Sequence, residues 1–166
     1  REYGRYWMHG GHLLLDGKKM SKSRGNIVYL ADLLSQGCSP EEVRFFLVYG
    51  HYRDRQNMSG KNLDTAREVL RELRDLAARL GEASAGDLTG VPPRVATGET
   101  FGERMDDDLD VKGAVDGMLA SLRELAARKE KGRRPTGEAR EAIAGLRGAD
   151  EVLQVIFPKA ETESTW

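Results

Sequence analysis

From Tyr3 to Ile27 the apolar residues come in short clusters broken by glycine. Tyr3, Tyr6, Trp7 and Met8 lead to Leu13-Leu14-Leu15, and no aliphatic residue stands between Met20 and Ile27. Gly10-Gly11 and Asp16-Gly17 are pairs favoured in tight hairpin turns, so this opening predicts two or three short strands. Beyond Asn26 the period lengthens. "LADLLSQG" predicts a short helix ended by Gly37, and "SPEEVRFFLVYG" a second one, with Ser39 as N-cap, Pro40 at the first helical position, Glu42 at the capping-box site and Gly50 as the stop. "HYRDRQNMSG" is polar and reads as a turn. Ser59 to Leu80 then carries Leu63, Ala66, Leu70, Leu73, Ala77 and Leu80 three and four apart, the packing stripe of a long helix.

Gly81 to Thr100 is rich in Gly, Pro, Ser and Thr without an apolar period and predicts a long linker between helices. Val111, Val115, Met118, Leu122 and Leu125 predict a helix over about Val111 to Lys131. Another is predicted over Thr136 to Arg147, followed by "ADEVLQVIF", and the tail "PKAETESTW" has no core signal. The expected fold is mainly α: a short β hairpin or strand remnant followed by an antiparallel helical bundle. The leucine stripes predict that Ser59 to Phe157 folds without the first fifty residues. No internal repeat is present.

Composition places the chain among globular proteins, with 39% hydrophobic and 32% charged residues over 166 positions. No apolar run approaches the ~20 residues of a membrane span and no signal peptide opens the sequence, so a soluble, cytoplasmic protein is expected. The first residue is Arg1 rather than Met, which leads us to expect more sequence upstream. The single cysteine, Cys38, rules out an internal disulfide and a thiolate cluster. Net charge is -1, but residues 1–61 hold ten Lys and Arg against six Asp and Glu, so the opening third is basic and the rest acidic. A polyanion would bind at the basic end.

The basic end contains "LLLDGKKMSKSRGN". Lys19 and Lys22, three apart between Gly17 and Gly25, can bring two ammonium groups to a cluster of phosphate oxygens. Where a reaction expels pyrophosphate, such donors stabilise charge that grows on the leaving group. The Gly-x4-Gly-Lys-Ser/Thr spacing of a Walker A loop is absent.

The pentapeptide Lys19-Met20-Ser21-Lys22-Ser23 resembles the second signature of class I aminoacyl-tRNA synthetases, a match expected by chance at a level on the order of 1 in 10⁴ or less. In order and spacing, "YWMHGGHLLLDGKKMSKSRGN", "ADLL", "SPEEVRFFLVYGHYR", "NMSGKNLDTAREVLREL" and "MDDDLD" resemble the C-terminal half of cysteinyl-tRNA synthetases, from about Tyr3 to Leu125. The resemblance implies that residues 1–26 are the last strands and the KMSKS loop of a class I Rossmann catalytic domain. Residues 27–61 would form a stem-contact region, 62–157 an anticodon-side, tRNA-binding helical bundle, and 158–166 a tail. It implies Lys19 and Lys22 as catalytic residues, with Lys22 the main transition-state ligand. It also implies ATP contacts by His9, Gly10, Lys19, Met20, Ser21, Lys22 and Ser23, with the strand through Met8, His9 and Gly10 beside the adenine pocket. The substrate would be ATP with Mg, and the partners tRNA(Cys) and the missing upstream catalytic half.

The family's His-x-Gly-His signature and its zinc ligands lie upstream of the matched part, so zinc belongs to that half and this chain is expected to be inactive alone. Asp110-Val111-Lys112 stands where the family has Asn-Thr-Pro. Two other readings fit the same motif: a segment of the cysteine ligase of mycothiol synthesis, and a free-standing, non-catalytic synthetase paralogue that binds RNA or protein. No metal site is expected within the chain. Cys38 has no second Cys or His at metal spacing and reads as a small core filler. Asp106, Asp107 and Asp108 read as carboxylates favouring the positive end of a helix, while His9, His12 and His51 read as surface or packing residues.

Overall fold

A computed structural model describes residues 3–83, 101–130 and 136–157. In chain order these form β1 (Leu13–Leu15), β2 (Lys18–Lys19), a single 3₁₀ turn (Lys22–Arg24), α1 (Leu30–Ser35), α2 (Pro40–Val48), β3 (Gln56–Met58), α3 (Gly60–Ala83), α4 (Phe101–Asp106), α5 (Val111–Glu130) and α6 (Thr136–Leu153). The chain is mainly helical, with one small sheet, as the hydrophobic pattern predicts.

The Asp16-Gly17 hairpin forms as expected. Leu14 pairs with Lys19 and Leu15 with Lys18, and the two loop residues both have positive φ, 47° and 75°. That is the handedness of turn matching the twist of the strands, and Gly tolerates it without strain. Gly10-Gly11, by contrast, makes no hairpin, and the strand expected through Met8, His9 and Gly10 is absent. Gly11 serves a close approach instead. Gly11 N–H donates to the Tyr52 carbonyl at 2.6 Å, and a Cβ at Gly11 would overlap the Asp54 carbonyl. Isolated backbone bonds to a turn cannot extend into a ladder.

The segment "HYRDRQNMSG" is not all turn. Its last part is β3, which pairs in parallel with β1 through Leu13↔Gln56, Leu14↔Asn57 and Leu15↔Met58, giving the order β2-β1-β3. Gln56 and Asn57 are polar because they bond sideways: Gln56 Nε2 donates to the Phe46 carbonyl, and Asn57 Oδ1 accepts the Gly17 N–H at 2.7 Å. The second bond, with Asp16 N–H to the Met58 carbonyl at 3.0 Å, fastens the hairpin turn to β3.

At α2 the predicted capping box is complete. Ser39 Oγ accepts the Glu42 N–H at 3.2 Å and a Glu42 carboxylate oxygen accepts the Ser39 N–H at 2.9 Å. Gly37 follows α1 with φ 87°. Cys38 is buried beside it as the small filler expected.

All six stripe positions of α3 are buried, and Leu73 and Leu80 are fully so. Arg123 bonds Glu72, and six residues further along α5 Lys129 bonds the Arg79 carbonyl. The contacts advance together, so α3 and α5 run in the same direction. α6 returns antiparallel, with Glu138 near the end of α5 at Arg128 and Val155 beside Arg74 of α3. α6 continues to Leu153, past the expected end at Arg147, because Ala149 and Leu153 keep the apolar spacing of Ala139, Ile143 and Leu146. Its end is clasped: the Asp150 carboxylate accepts the N–H groups of Val155, Ile156 and Phe157 at 2.7, 2.7 and 3.0 Å. Arg44 and Arg74 donate to the carbonyls of Val152, Leu153 and Val155. The expected linker yields its first three residues to α3, its part from 84 to 100 lies outside the described residues, and the short α4 follows it. The tail from 158 also lies outside them.

One apolar core runs from Leu33 through Phe45, Phe46 and Met58 to Leu73, Leu122, Leu146 and Ile156. It does not stop at residue 61.

Candidate functional site

The sheet holds out one loop. β2 ends at Lys19, Met20 is half-buried, and Ser21 is extended (φ -157°, ψ 148°) before the 3₁₀ turn that starts at Lys22. Arg24 N–H bonds the Ser21 carbonyl at 3.2 Å and Gly25 N–H the Lys22 carbonyl at 3.1 Å. Gly25 has φ 64°, a left-handed residue that reverses the chain where a side chain would be strained.

Asn26 then closes the loop. Its Oδ1 accepts the Ser21 N–H at 3.0 Å, and its Nδ2 donates to the Lys19 carbonyl at 3.2 Å. One amide thus bonds the backbone on both sides of Met20 and fixes the distance between the two lysine positions. Ser21 and Ser23 hydroxyls lie 3.3 Å apart. Both lysines point from this frame as exposed side chains. Among the described residues Lys18, Lys19, Lys22 and Arg24 take part in no ion pair, although carboxylates elsewhere are paired repeatedly. Four cations within seven residues, none neutralised, leave a concentrated positive field on one loop.

Of the other expected ATP contacts, His9 and Gly10 sit in the irregular segment ahead of β1 and are exposed. That segment is tied to the rest through Gly11 and the turn at His51–Asp54. Tyr3 stacks on Trp7 with ring centroids 6.1 Å apart, and both, with Tyr6 and Met8, are exposed.

Sequence reading assigned no role to Asn26 and misassigned the acidic run. An Asn directly after a left-handed Gly, following a basic loop, was the available signal for Asn26, since Asx side chains commonly mimic backbone partners in turns. The α5 N-terminus is capped by Asp110, whose Oδ1 accepts the Gly113 N–H at 2.8 Å and which bonds Arg104 at 3.0 Å. The bond from Gly113 holds the Asp110 carboxyl below the ordinary value.

Asp108 faces away from that helix end. Its two oxygens take the Arg53 guanidinium, through Nε at 2.7 Å and Nη2 at 3.0 Å, and the Tyr52 hydroxyl at 2.7 Å, with His51 Nε2 at 3.5 Å. The hydrogen bonds from Arg53, then from Tyr52, hold its carboxyl well below the usual aspartate range. Among the described residues no three His, Cys, Asp or Glu side chains converge in a metal-binding arrangement. No helix among them is long and apolar enough to cross a membrane.

Comparison with known proteins places this sequence in a family. Residues 1–68 match the family model described as the class I (C) tRNA synthetase catalytic domain. The chain is 36% identical to a cysteine–tRNA ligase of Chlamydia trachomatis over 94% of this chain and 36% of that protein. It is 40% identical to the cysteine–tRNA ligase of Chlamydia muridarum over 75% of this chain and 27% of that protein. With the cysteine–tRNA ligase of Leptospira interrogans it shares 31% identity over 90% of this chain and 33% of the relative. The chain spans about a third of the length of the curated relatives it matches. Identity along nearly the whole chain, through the sheet, the KMSKS loop and the helices alike, shows that it belongs to the cysteinyl-tRNA synthetase family.

Proposed function

We propose that this chain supplies the pyrophosphate-stabilising loop and a tRNA-facing helical bundle of a cytoplasmic cysteine–tRNA ligase. The observation that carries the reading is the Asn26-closed loop that presents Lys19 and Lys22 without any acidic partner among the described residues. In the reaction a cysteine carboxylate oxygen attacks the α-phosphorus of ATP, the bond from that phosphorus to the bridging oxygen breaks, and the electron pair leaves on pyrophosphate. Lys22 meets the charge as it forms and Lys19 assists. Ser21, Ser23 and Met20 shape the loop, while His9 and Gly10 flank the nucleotide. ATP enters as its Mg complex, and the metal screens the phosphates when bound. A site built for growing charge accelerates the step more than it tightens ATP.

Residues 27–61 would act as the stem-contact region and 62–157 as the side that meets tRNA(Cys). The exposed Tyr3, Tyr6, Trp7 and Met8 would be covered by the remainder of the catalytic domain, which would carry the adenine-binding and zinc-dependent, cysteine-selecting residues. The relatives named above are tRNA ligases, which favours this reading over a mycothiol-type ligase.

The loop is one wall of an ATP site, so pyrophosphate exchange by the purified chain with cysteine and ATP should stay at background. Exchange well above background by this chain would overturn the division of labour proposed here.

A further inference from the structure

The KMSKS loop hangs from a hairpin whose lead-in, Gly11 and His12, is bonded to the turn at His51–Asp54, and Asp108 bonds the side chains of that turn to the helical bundle. We infer that Asp108 is a positioning residue that sets the loop's place relative to the bundle, acting through Tyr52 and Gly11. This rests, for its functional consequence, on the reading of the loop as the phosphate-stabilising element.

The path is continuous and short. Asp108 lies between α4 and α5 and grips three successive side chains, His51, Tyr52 and Arg53, on the turn that leads into β3. The Tyr52 carbonyl, on the same residue, accepts the Gly11 N–H at 2.6 Å, and the His12 carbonyl accepts the Gln56 N–H at 3.1 Å. Gly11 and His12 lead directly into β1, which carries β2 and the loop. The 51–54 turn is thus bonded to the residues that lead into the strand beneath Lys19.

Two features mark Asp108 as more than a surface ion pair. A bidentate guanidinium and a phenol fix the carboxylate in both distance and plane, where a lone exposed pair would be loose. Asp108 and Leu109 are consecutive non-glycine residues with positive φ, 51° and 59°, a costly backbone held only where surroundings over-determine it. The strained corner aims the carboxylate at the turn while leaving Asp110 free to cap α5. A second tie runs alongside: Tyr49 donates to Asp116 of α5 at 2.6 Å, and Lys112, which also bonds Asp116, lies over the Tyr49 ring.

The test is residue-resolved amide hydrogen exchange on the whole 166-residue chain, comparing Asp108→Asn and Tyr52→Phe with the parent. Asn keeps the left-handed preference at 108, so the corner survives while the charge is lost. Exchange at Gly11, Gln56 and Ser21 should speed up by about tenfold or more in Asp108→Asn and by less in Tyr52→Phe, with the amides of α3 and α6 unchanged. Unchanged exchange at Gly11 and Ser21 would overturn the inference. So would a uniform acceleration including α3 and α6, which would mark a merely structural role. The readout needs no nucleotide, so it is decided separately from the pyrophosphate-exchange assays that judge the loop's chemistry.

Discussion

Asn26 is the residue on which the loop's geometry turns. Replacing it by Ala removes both bonds that span Met20 and leaves Lys19 and Lys22 chemically intact but unpositioned. In a full-length synthetase carrying this segment, Asn26→Ala should slow adenylate formation by about tenfold or more, since small misplacements of electrostatic groups lose much of their effect. Pre-steady-state pyrophosphate release measures it, and an unchanged rate would show that the amide does not frame the lysines. Asp108 allows a pH statement. Its carboxyl is lowered in the folded chain, so the clamp's contribution is fully present above the ordinary aspartate value of about 3.9 and is lost only as pH falls through the lowered one. His51 also faces the carboxylate, with Nε2 at 3.5 Å. Protection of the Gly11 amide, corrected for intrinsic rate, should thus hold from pH 8 down to pH 5; loss of protection within that window would contradict the assignment. At this scale the exposed, basic character of Lys19 and Lys22 was legible because their charge lies in their own side chains. Asn26 and Asp108 were not, because their partners are backbone groups or residues more than fifty positions away.

Elements were legible where their signals are local. Ser39, Pro40 and Glu42 announced α2, and the Asp16-Gly17 pair announced the hairpin. β3 escaped because Gln56 and Asn57 have neither alternation nor β-branching; only the parallel partner β1 makes them a strand. The strand expected at Met8 to Gly10 failed for the complementary reason, a glycine at 11 required by the Asp54 carbonyl rather than by a turn. α6 outran its expected end since its stop is the Asp150 clasp, formed with residues that follow it. Asp150→Ala leaves three N–H groups of residues 155–157 without their acceptor and should cost about 2 kcal/mol or more. Thermal unfolding would read this as a fall of several degrees, and no shift would mean that water replaces the carboxylate freely.

The described residues share one core, and the leucine stripes supply only part of it. They suggested partners wholly within Ser59 to Phe157, but Phe45 and Phe46 of α2 are buried against that bundle, and Arg44 holds the end of α6. A segment starting at Ser59 loses these and should show lower helicity and a broader transition than the full chain by circular dichroism; equal cooperativity would mean that α2 is dispensable. Leu73→Asp in the full chain should unfold it, because an unpaired carboxylate at a fully buried position costs several kcal/mol out of a total of about 5 to 15 kcal/mol. The direction of α3 relative to α5 was likewise hidden, since it shows only in contacts between residues about fifty positions apart.

The central claim, that the lysine loop serves the leaving pyrophosphate, is tested most directly by Lys22→Ala in a full-length cysteinyl-tRNA synthetase carrying this segment in place of its own. Adenylate formation should fall by about 10²-fold with little change in cysteine affinity or ground-state ATP binding, and Lys19→Ala should be milder. Equal losses in ATP binding and in rate would show that the loop merely holds substrate, and would contradict the account.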